Sequence, residues 1–207
     1  MRKLIVFDVD STLINEEVIE LFARSAGVLQ DVKEITIDAM SGRIDFEESL
    51  RQRVSLLKGL PSTIIDEVRQ EITLTEGARD LIVKVLAEGH VPAVVSGGFT
   101  SVLEPLMREL EIEHYRANAL GIQNGKLTGE VEGTVVDRKA KAFALQEFAS
   151  IEGIEIENTI AIGDGANDID MVELAGLGIA FCAKDALIRV ADISITERDL
   201  RQVIQYL

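Results

Sequence analysis

Short, continuous apolar runs recur along the chain, and each of them ends in polar residues or glycine. The runs are residues 4–7, 91–95, 159–162, 178–181 and 193–195. Apolar residues that do not alternate with polar ones are typical of parallel strands covered on both faces. Helical patterns separate the later runs, at residues 77–88, 137–149 and 166–175. This order predicts an α/β fold with a doubly wound, Rossmann-like parallel sheet.

A block of helical patterns without a strand separates the first apolar run from the second. Its four patterns lie at residues 16–26 and 28–40, from Asp45 onward, and at residues 61–72. Asp45 and Glu48 have the spacing of a capping box at a helix start. We therefore expect an α/β core of residues 1–14 and 75–207, with a small four-helix cap domain of residues 15–74 inserted into it.

Residues 115–136 also depart from the alternation of strands and helices. Asn124-Gly125 is a turn signal typical of a two-residue β-hairpin, and the residues on either side favour strands. The sequence therefore predicts a β-hairpin insert in the core at these residues.

Charge and composition disfavour several classes of protein. The 207 residues carry 36 Asp and Glu against 21 Lys and Arg, a net charge of −15, which argues against nucleic acid or membrane partners. No apolar run approaches the roughly 18 residues of a membrane span, and we expect no secretion signal. The single cysteine, Cys182, permits no internal disulfide and fits a cytoplasmic protein. We expect a small-molecule substrate and a monomer or homodimer.

Acidic and small polar residues follow three of the predicted strands. In open α/β sheets, ligands bind beyond the carboxyl ends of the strands, so these residues are expected to face one site. Asp8 and Asp10 point to the same side of the extended chain, because side chains alternate along it. The other strand ends supply Ser96, Gly97 and Gly98, and then Asp164, Asn167 and Asp168.

Four aspartates in one place require a cation to offset their repulsion. Carboxylate oxygens favour a hard ion, and Mg²⁺ is the natural choice. Ser96 and the two glycines after it offer a hydroxyl and backbone N–H groups at a predicted helix start, which suits a phosphate. A lysine is expected to complete the site. Lys141 shares a helix face with Leu145 and Phe148, and Lys139 shares one with Phe143, so spacing leaves both lysines open.

These residue types indicate phosphoryl transfer. An aspartate nucleophile forms an aspartyl-phosphate and so divides one difficult step into two easier ones. The second acid, Asp10, is placed to protonate the leaving oxygen and later to deprotonate the attacking water. The two carboxylates at the end of the first strand would thus have separate roles.

The same motifs resemble those of the haloacid dehalogenase superfamily of phosphatases. The resemblance rests on Asp8-Val9-Asp10-Ser11-Thr12-Leu13, Ser96, Lys141 and residues 163–168, and it extends over nearly the whole chain. It implies that Asp8 is the nucleophile, that Asp10 is the general acid and base, and that Lys141 is the lysine of the family's third motif. It implies Mg²⁺ ligation by Asp8, Asp164 and the backbone carbonyl of Asp10. It also implies phosphate binding by Ser96, Gly97, Lys141 and Asn167, with Thr12, Gly98 and Asp168 in support.

The expected cap carries the residues that would select the substrate. Glu17 suits an ammonium group and Arg53 suits a carboxylate, while Met40 and Phe46 would form the pocket wall. Arg53 lies three residues after Leu50 and so shares an otherwise apolar helix face. Further resemblance in residues 49–57, 94–99 and 180–184 implies O-phospho-L-serine as substrate and a cap that moves during turnover.

Other interpretations remain open from the sequence. The same chemistry fits another small phosphomonoester or phosphoryl transfer to an alcohol. A receiver-type signalling domain also gathers acids and a lysine around a phosphorylated aspartate, and a catalytically inactive protein could only bind a phosphorylated ligand. Glu17 and Arg53 could be surface residues, and Met40 and Phe46 could be core residues of the helical block.

Overall fold

A seven-stranded sheet forms the centre of the molecule. The computed structural model describes residues 1–40 and 43–207, without the side chain of Met40. The predicted role of Met40 in the pocket wall therefore lies outside the described residues. The strands are β1 (Leu4–Phe7), β2 (Val91–Phe99), β3 (His114–Gln123), β4 (Lys126–Glu132), β5 (Thr159–Gly163), β6 (Leu177–Phe181) and β7 (Ile193–Ile195). Their order is β4-β3-β2-β1-β5-β6-β7, and only the pair β3 and β4 is antiparallel. The predicted fold class is confirmed.

Helices cover both faces of this sheet. They are α1 (Val18–Ala26), α2 (Leu29–Met40), α3 (Phe46–Ser55), α4 (Ile64–Glu71), α5 (Ala78–Ala87), α6 (Thr100–Glu109), α7 (Arg138–Glu152), α8 (Ile169–Leu174) and α9 (Asp185–Ile188). Leu4 and Val6 of β1 belong to a core cluster with Leu145 of α7, whereas Ile5 and Phe7 pack on the other face. Burial of both faces explains why the strands read as continuous apolar runs. No helix in the described ranges is long and apolar enough to cross a membrane.

Helices α1 to α4 occupy the position of the predicted cap. The chain leaves the core after β1 and returns at residues 73–75, where Ile14 and Leu74 form an antiparallel bridge. The N–H of Thr75 donates to the carbonyl of Leu13 at 3.0 Å, so the two crossings run side by side. Phe22 of α1 meets Phe99 of β2 edge-on, with ring centroids 5.8 Å apart. The block is thereby packed against the carboxyl end of β2.

Only half of the predicted capping box is formed at the start of α3. The Asp45 carboxylate accepts a hydrogen bond from the N–H of Glu48 at 2.8 Å. The Glu48 carboxylate instead accepts a 2.6 Å hydrogen bond from the side chain of Gln52, one turn further on. Asp45 alone therefore caps this helix.

The predicted hairpin is present, but its first strand extends the main sheet. Asn124 and Gly125 have φ of 52° and 71°, the left-handed geometry of a tight two-residue turn. β3 pairs in parallel with β2, so the hairpin forms one edge of the sheet. The N–H of Leu127 donates to the carbonyl of Leu60, and the N–H of Gly59 donates to the carbonyl of Leu127, both at 2.9 Å. The hairpin is thus bonded to the segment between α3 and α4.

Candidate active site

The backbone turns sharply after β1 and places two acids at the end of the strand. The N–H of Asp8 donates to the carbonyl of Ile162 at 2.8 Å, which extends the ladder between β1 and β5 by one bond. Ser11 then has φ of 58°, and the N–H of Ile14 donates back to the carbonyl of Val9. Asp8 is buried, with a side chain that is 4% exposed. The hydroxyl of Ser11 donates to the Glu17 carboxylate at 2.7 Å, so this turn also orients Glu17.

Lys141 of α7 is fully buried and joins two of these acids. Its ammonium group donates to Oδ1 of Asp8, and to Oδ1 of Asp168 at 2.7 Å. Burial by itself would lower the pKa of Lys141, but the Asp168 and Asp8 carboxylates outweigh burial and raise the pKa. The lysine therefore stays charged. Lys139 is exposed, as is Phe143, so the structure places Lys141 and not Lys139 in the site.

Asp168 holds the loop after β5 in place. Its Oδ2 atom accepts hydrogen bonds from the N–H groups of Asp164 at 3.2 Å and Gly165 at 3.0 Å. A Cβ atom on Gly163 would lie 2.5 Å from the Asp168 carboxylate, so only glycine fits there. Both oxygens of Asp168 are thus engaged in bonds to the protein, as expected of a supporting residue.

The carboxylates at the strand ends suit a divalent cation. Oxygen atoms of Asp8, Asp164 and Asp168 all lie within 4.8 Å of one another. Burial, with the Asp168 charge next, raises the pKa of Asp8 and raises that of Asp164 to about 6. Burial and the neighbouring carboxylate thus disfavour the charged forms of Asp8 and Asp164. Because both oxygens of Asp168 are already engaged, Asp8 and Asp164 are the carboxylates best placed to hold such a cation.

Asp10 lies beside this cluster and has an unusual environment. Its Oδ1 atom is buried and has no hydrogen-bond partner among the described residues. Burial, followed by the charges of Glu17 and Asp8, raises the pKa of the Asp10 carboxyl. A carboxyl group that readily keeps its proton is suited to general acid catalysis.

Ser96 and Gly97 lie in an irregularity of β2. Val95 pairs with Arg116 and Phe99 with Asn118, so three residues of β2 face a single residue of β3. This bulge removes Ser96, Gly97 and Gly98 from the regular ladder. The strand continues to Phe99 and α6 begins at Thr100, so the expectation that the cradle stands at a helix start is wrong. The N–H of Gly98 donates to the Ser96 hydroxyl at 2.8 Å.

A cavity of about 510 Å³ lies between the strand ends and the helical block. The predicted site residues that line it are Asp8, Asp10, Glu17, Phe46, Arg53, Gly97, Gly98, Asp164 and Asn167. Ser96, Lys141 and Asp168 are buried and support this surface from within. Thr12 is buried too, and its hydroxyl has no partner among the described residues.

Residues of the helical block face the strand-end acids across this cavity. Arg53 is half-buried, and its Nε donates to the carbonyl of Ser49 at 3.1 Å. Burial lowers the pKa of Arg53, although the Glu17 and Asp10 charges oppose that change. A Cβ atom on Gly97 would lie 3.0 Å from the Phe46 ring, which shows how closely the ring covers the bulge. The cavity therefore combines an arginine and a glutamate with the acids and glycines at the strand ends.

Sequence reasoning missed four residues in or next to the site. Lys184 lines the cavity, lies 3.9 Å from the Asp164 carboxylate, and follows the end of β6, a position that the strand-end rule could have included. Ser11 bonds Glu17, and Arg138 contributes to the cavity wall. Asn118 lies under the bulge and had no local signal in the sequence.

The fold and the acid–lysine cluster agree with the comparison to protein families. The model of the haloacid dehalogenase-like hydrolases matches residues 5–173, and the chain belongs to this family. It is 50% identical over 206 residues to a phosphoserine phosphatase of Methanocaldococcus jannaschii, covering 100% of this chain and 98% of that protein. It is 48% identical to a phosphoserine phosphatase of Lactococcus lactis, covering 99% and 95%.

Comparison with solved structures also finds similarity to phosphoserine phosphatases. A substrate-bound phosphoserine phosphatase complex superposes with a TM-score of 0.95 at 50% identity, over 100% of this chain and 99% of that one. A phospho-aspartyl intermediate analogue of phosphoserine phosphatase has a TM-score of 0.94 at the same identity and coverage.

Proposed function

We propose that this protein is a Mg²⁺-dependent phosphoserine phosphatase, which hydrolyses O-phospho-L-serine to L-serine and phosphate. The observation that carries the proposal is one cavity with Asp8 and its buried Lys141 at one end and Glu17 and Arg53 towards the helical block. Full-length similarity to two phosphoserine phosphatases supports the same substrate. Formation of serine would place the enzyme at the last step of serine biosynthesis.

Asp8 is the nucleophile in this proposal. One of its carboxylate oxygens forms a bond to phosphorus while the bond from phosphorus to the serine oxygen breaks. The Lys141 ammonium group orients Asp8 and offsets charge on the phosphoryl group. Asp10 gives its proton to the departing serine oxygen, in keeping with the raised pKa of this carboxyl.

The second step returns Asp8 to its starting state. Asp10, now ionised, accepts a proton from a water molecule as that water attacks phosphorus. The bond from phosphorus to the Asp8 oxygen breaks, and inorganic phosphate is released. Ser96, Gly97, Lys141 and Asn167 are the proposed phosphate-binding residues, with Thr12, Gly98 and Asp168 in support.

Mg²⁺ is the proposed cofactor. Asp8 and Asp164 would hold it, together with the backbone carbonyl of Asp10. When bound, the ion supplies positive charge that stabilises the phosphoryl oxygens. The raised pKa values of Asp8 and Asp164 support this proposal, because burial, and then the Asp168 charge, disfavours their ionised forms and a bound cation would compensate that buried negative charge.

Residues 15–74 are proposed to act as a cap over the cavity. Glu17 would bind the substrate ammonium group and Arg53 the carboxylate, with Phe46 against the phosphate end. Closure of the cap would exclude water during the first step, and its opening would admit water for the second. A single free cysteine supports a reducing, cytoplasmic setting.

A comparison of substrates tests this proposal. Phosphate release would be measured from phosphoserine, from phosphoethanolamine, which lacks the carboxylate, and from p-nitrophenyl phosphate, which lacks both head groups. We expect kcat/KM to be at least about 100-fold higher for phosphoserine, because a buried charge without a partner is strongly rejected. Arg53→Lys should lose most of this preference while keeping activity on p-nitrophenyl phosphate.

Arg51→Lys is the matched control, because Arg51 lies on the same helix outside the cavity lining, where it pairs with Glu47 at 2.7 Å and donates to the carbonyl of Val131 at 3.3 Å. It should behave as the wild type. Equal turnover of all three compounds would leave a phosphatase but refute phosphoserine as the preferred substrate. Absence of turnover with every phosphomonoester would refute the proposed function.

A further inference from the structure

Asn118 of β3 joins two backbone segments beside the phosphate end of the cavity. The residue is 1% exposed, and its Nδ2 donates to the carbonyl of Gly97 at 2.8 Å. Its Oδ1 accepts from the N–H of Val136, also at 2.8 Å. These partners fix the orientation of the amide, because a carbonyl only accepts and a backbone N–H only donates. Both sides of the Asn118 amide are therefore in use.

The hydrogen bond from Asn118 to the Gly97 carbonyl holds one peptide unit in the bulge of β2. The Gly97 carbonyl and the Gly98 N–H belong to one planar peptide unit. Asn118 holds this unit at its carbonyl end, and the Ser96 hydroxyl accepts a hydrogen bond at its N–H end. The Ser96 hydroxyl uses a lone pair to accept this bond, which leaves its own hydrogen to donate towards a bound anion. Asn118 thus determines how the cradle presents its donors.

The hydrogen bond from the N–H of Val136 to Asn118 holds the chain just before the start of α7. Val136 directly precedes Asp137, whose carboxylate caps the helix by accepting from the N–H of Ala140 at 2.8 Å. The N–H of Lys141 donates to the carbonyl of Asp137 at 3.0 Å, so Lys141 lies one turn beyond the cap. A shift of Val136 would move the helix that carries the buried ammonium group.

We infer that Asn118 is a positioning residue that sets the spacing between the Ser96–Gly98 bulge and the helix of Lys141. It touches no reacting atom and acts through Gly97 and Val136. This inference rests on the proposed function, in which those two elements hold the phosphate. Loss of the link is expected to weaken phosphate binding and to slow turnover, since displacements of about 1 Å can reduce rates by about 100-fold.

The variant Asn118→Asp separates this role from a purely structural one. It keeps the shape of the side chain and an acceptor for the N–H of Val136, but it places an oxygen in front of the Gly97 carbonyl. The matched control is Thr159→Val. Thr159 is also 1% exposed, and its hydroxyl also joins two backbone groups, the carbonyl of Ile156 at 2.7 Å and the N–H of Gly176 at 3.1 Å. It lies at the amino end of β5, away from the cavity.

Binding of inorganic phosphate in the presence of Mg²⁺ would be measured by calorimetry, alongside kcat, KM and Tm. We expect Asn118→Asp to weaken phosphate binding by about tenfold or more and to lower kcat/KM by about 100-fold. Thr159→Val should lower Tm while leaving phosphate binding and both kinetic constants unchanged. If Asn118→Asp does not fold, Asn118→Ser, which is too short to span both partners and adds no charge, should give the same losses.

An Asn118 variant with wild-type phosphate binding and kcat/KM, whatever its Tm, would overturn the inference and leave the proposed function standing. A second outcome is that the variant loses phosphate binding while the wild type does not hydrolyse phosphoserine. That outcome would refute the proposed function and leave the inference standing. A wild type that binds no phosphate would overturn the inference, because there would be no phosphate site to position.

Discussion

The ammonium group of Lys141 donates a hydrogen bond to the Asp8 carboxylate, although the two residues are 133 positions apart in the chain. Both are buried, and the second carboxylate on Lys141 is that of Asp168. Neither acid would be stable as an isolated buried charge, and neither would the lysine. The arrangement ties the ends of β1 and β5 to α7 and aims one carboxylate oxygen at the cavity.

Replacement of Lys141 by methionine is expected to cost both stability and activity. Two buried carboxylates would lose their cation, and breaking such a contact typically destabilises a protein by about 3–5 kcal/mol. Urea unfolding at neutral pH would measure this change, and phosphate release should fall by at least about 100-fold. The control is Lys139→Met on the exposed side of α7. A Lys141→Met protein as stable and active as the control would contradict the account.

Magnesium is expected to stabilise the protein through Asp164. Because the pKa of the Asp164 carboxyl is raised to about 6, its charged form is disfavoured in the metal-free fold at pH 7.5. Asp164→Asn should therefore raise the Tm without metal, and it should reduce the further rise in Tm that Mg²⁺ produces. The exposed Asp66→Asn on α4 is the control. An undiminished Mg²⁺ effect in Asp164→Asn would exclude this ligand.

Glu152 at the end of α7 is expected to make stability depend on pH. A hydrogen bond with His114, and then one with Arg2, lowers the pKa of the Glu152 carboxyl. A carboxyl group whose pKa is lowered by folding stabilises the protein at pH values above its unfolded pKa of about 4.5. This stabilisation is lost as the pH falls through the pKa of the folded state.

Glu152→Gln should therefore destabilise the protein at pH 7, by about 1 kcal/mol or less because the side chain is partly exposed. The difference from the wild type should shrink on acidification below pH 4.5. Urea unfolding across this range would measure it, with the exposed Glu155→Gln as control. A difference that stayed constant with pH would show that Glu152 acts through packing alone.

The parts of the fold that were predictable are those that depend on local pattern. Residues 4–7 read as a buried strand, and the strand-end rule then pointed to Asp8 and Asp10 after it, although residues 9–13 form a helical turn and are not the extended chain that the alternation argument assumed. The same rule located Asp164 after β5. Strand ends of a parallel sheet meet at one edge, so the acid cluster could be predicted from several separate local patterns.

The parts that were not predictable depend on contacts between distant segments. The apolar run of β2 stops at Val95, but the strand continues to Phe99, because the bulge returns Phe99 to the ladder opposite Asn118. The choice between Lys139 and Lys141 depends on which side of α7 meets the sheet. The contact of Leu60 with Leu127 joins two segments whose own sequences show no preference for each other.

The central claim is that Asp8 becomes phosphorylated during turnover, and chemical trapping of that intermediate tests it most directly. The enzyme would be mixed with excess phosphoserine and Mg²⁺ and quenched within one turnover. Borohydride reduction, which converts an aspartyl-phosphate to homoserine, would be followed by mass spectrometry of the peptides. We expect homoserine at position 8 in the wild type, and neither homoserine nor phosphate release in Asp8→Asn. Phosphate on another residue, or undiminished hydrolysis by Asp8→Asn, would contradict the account.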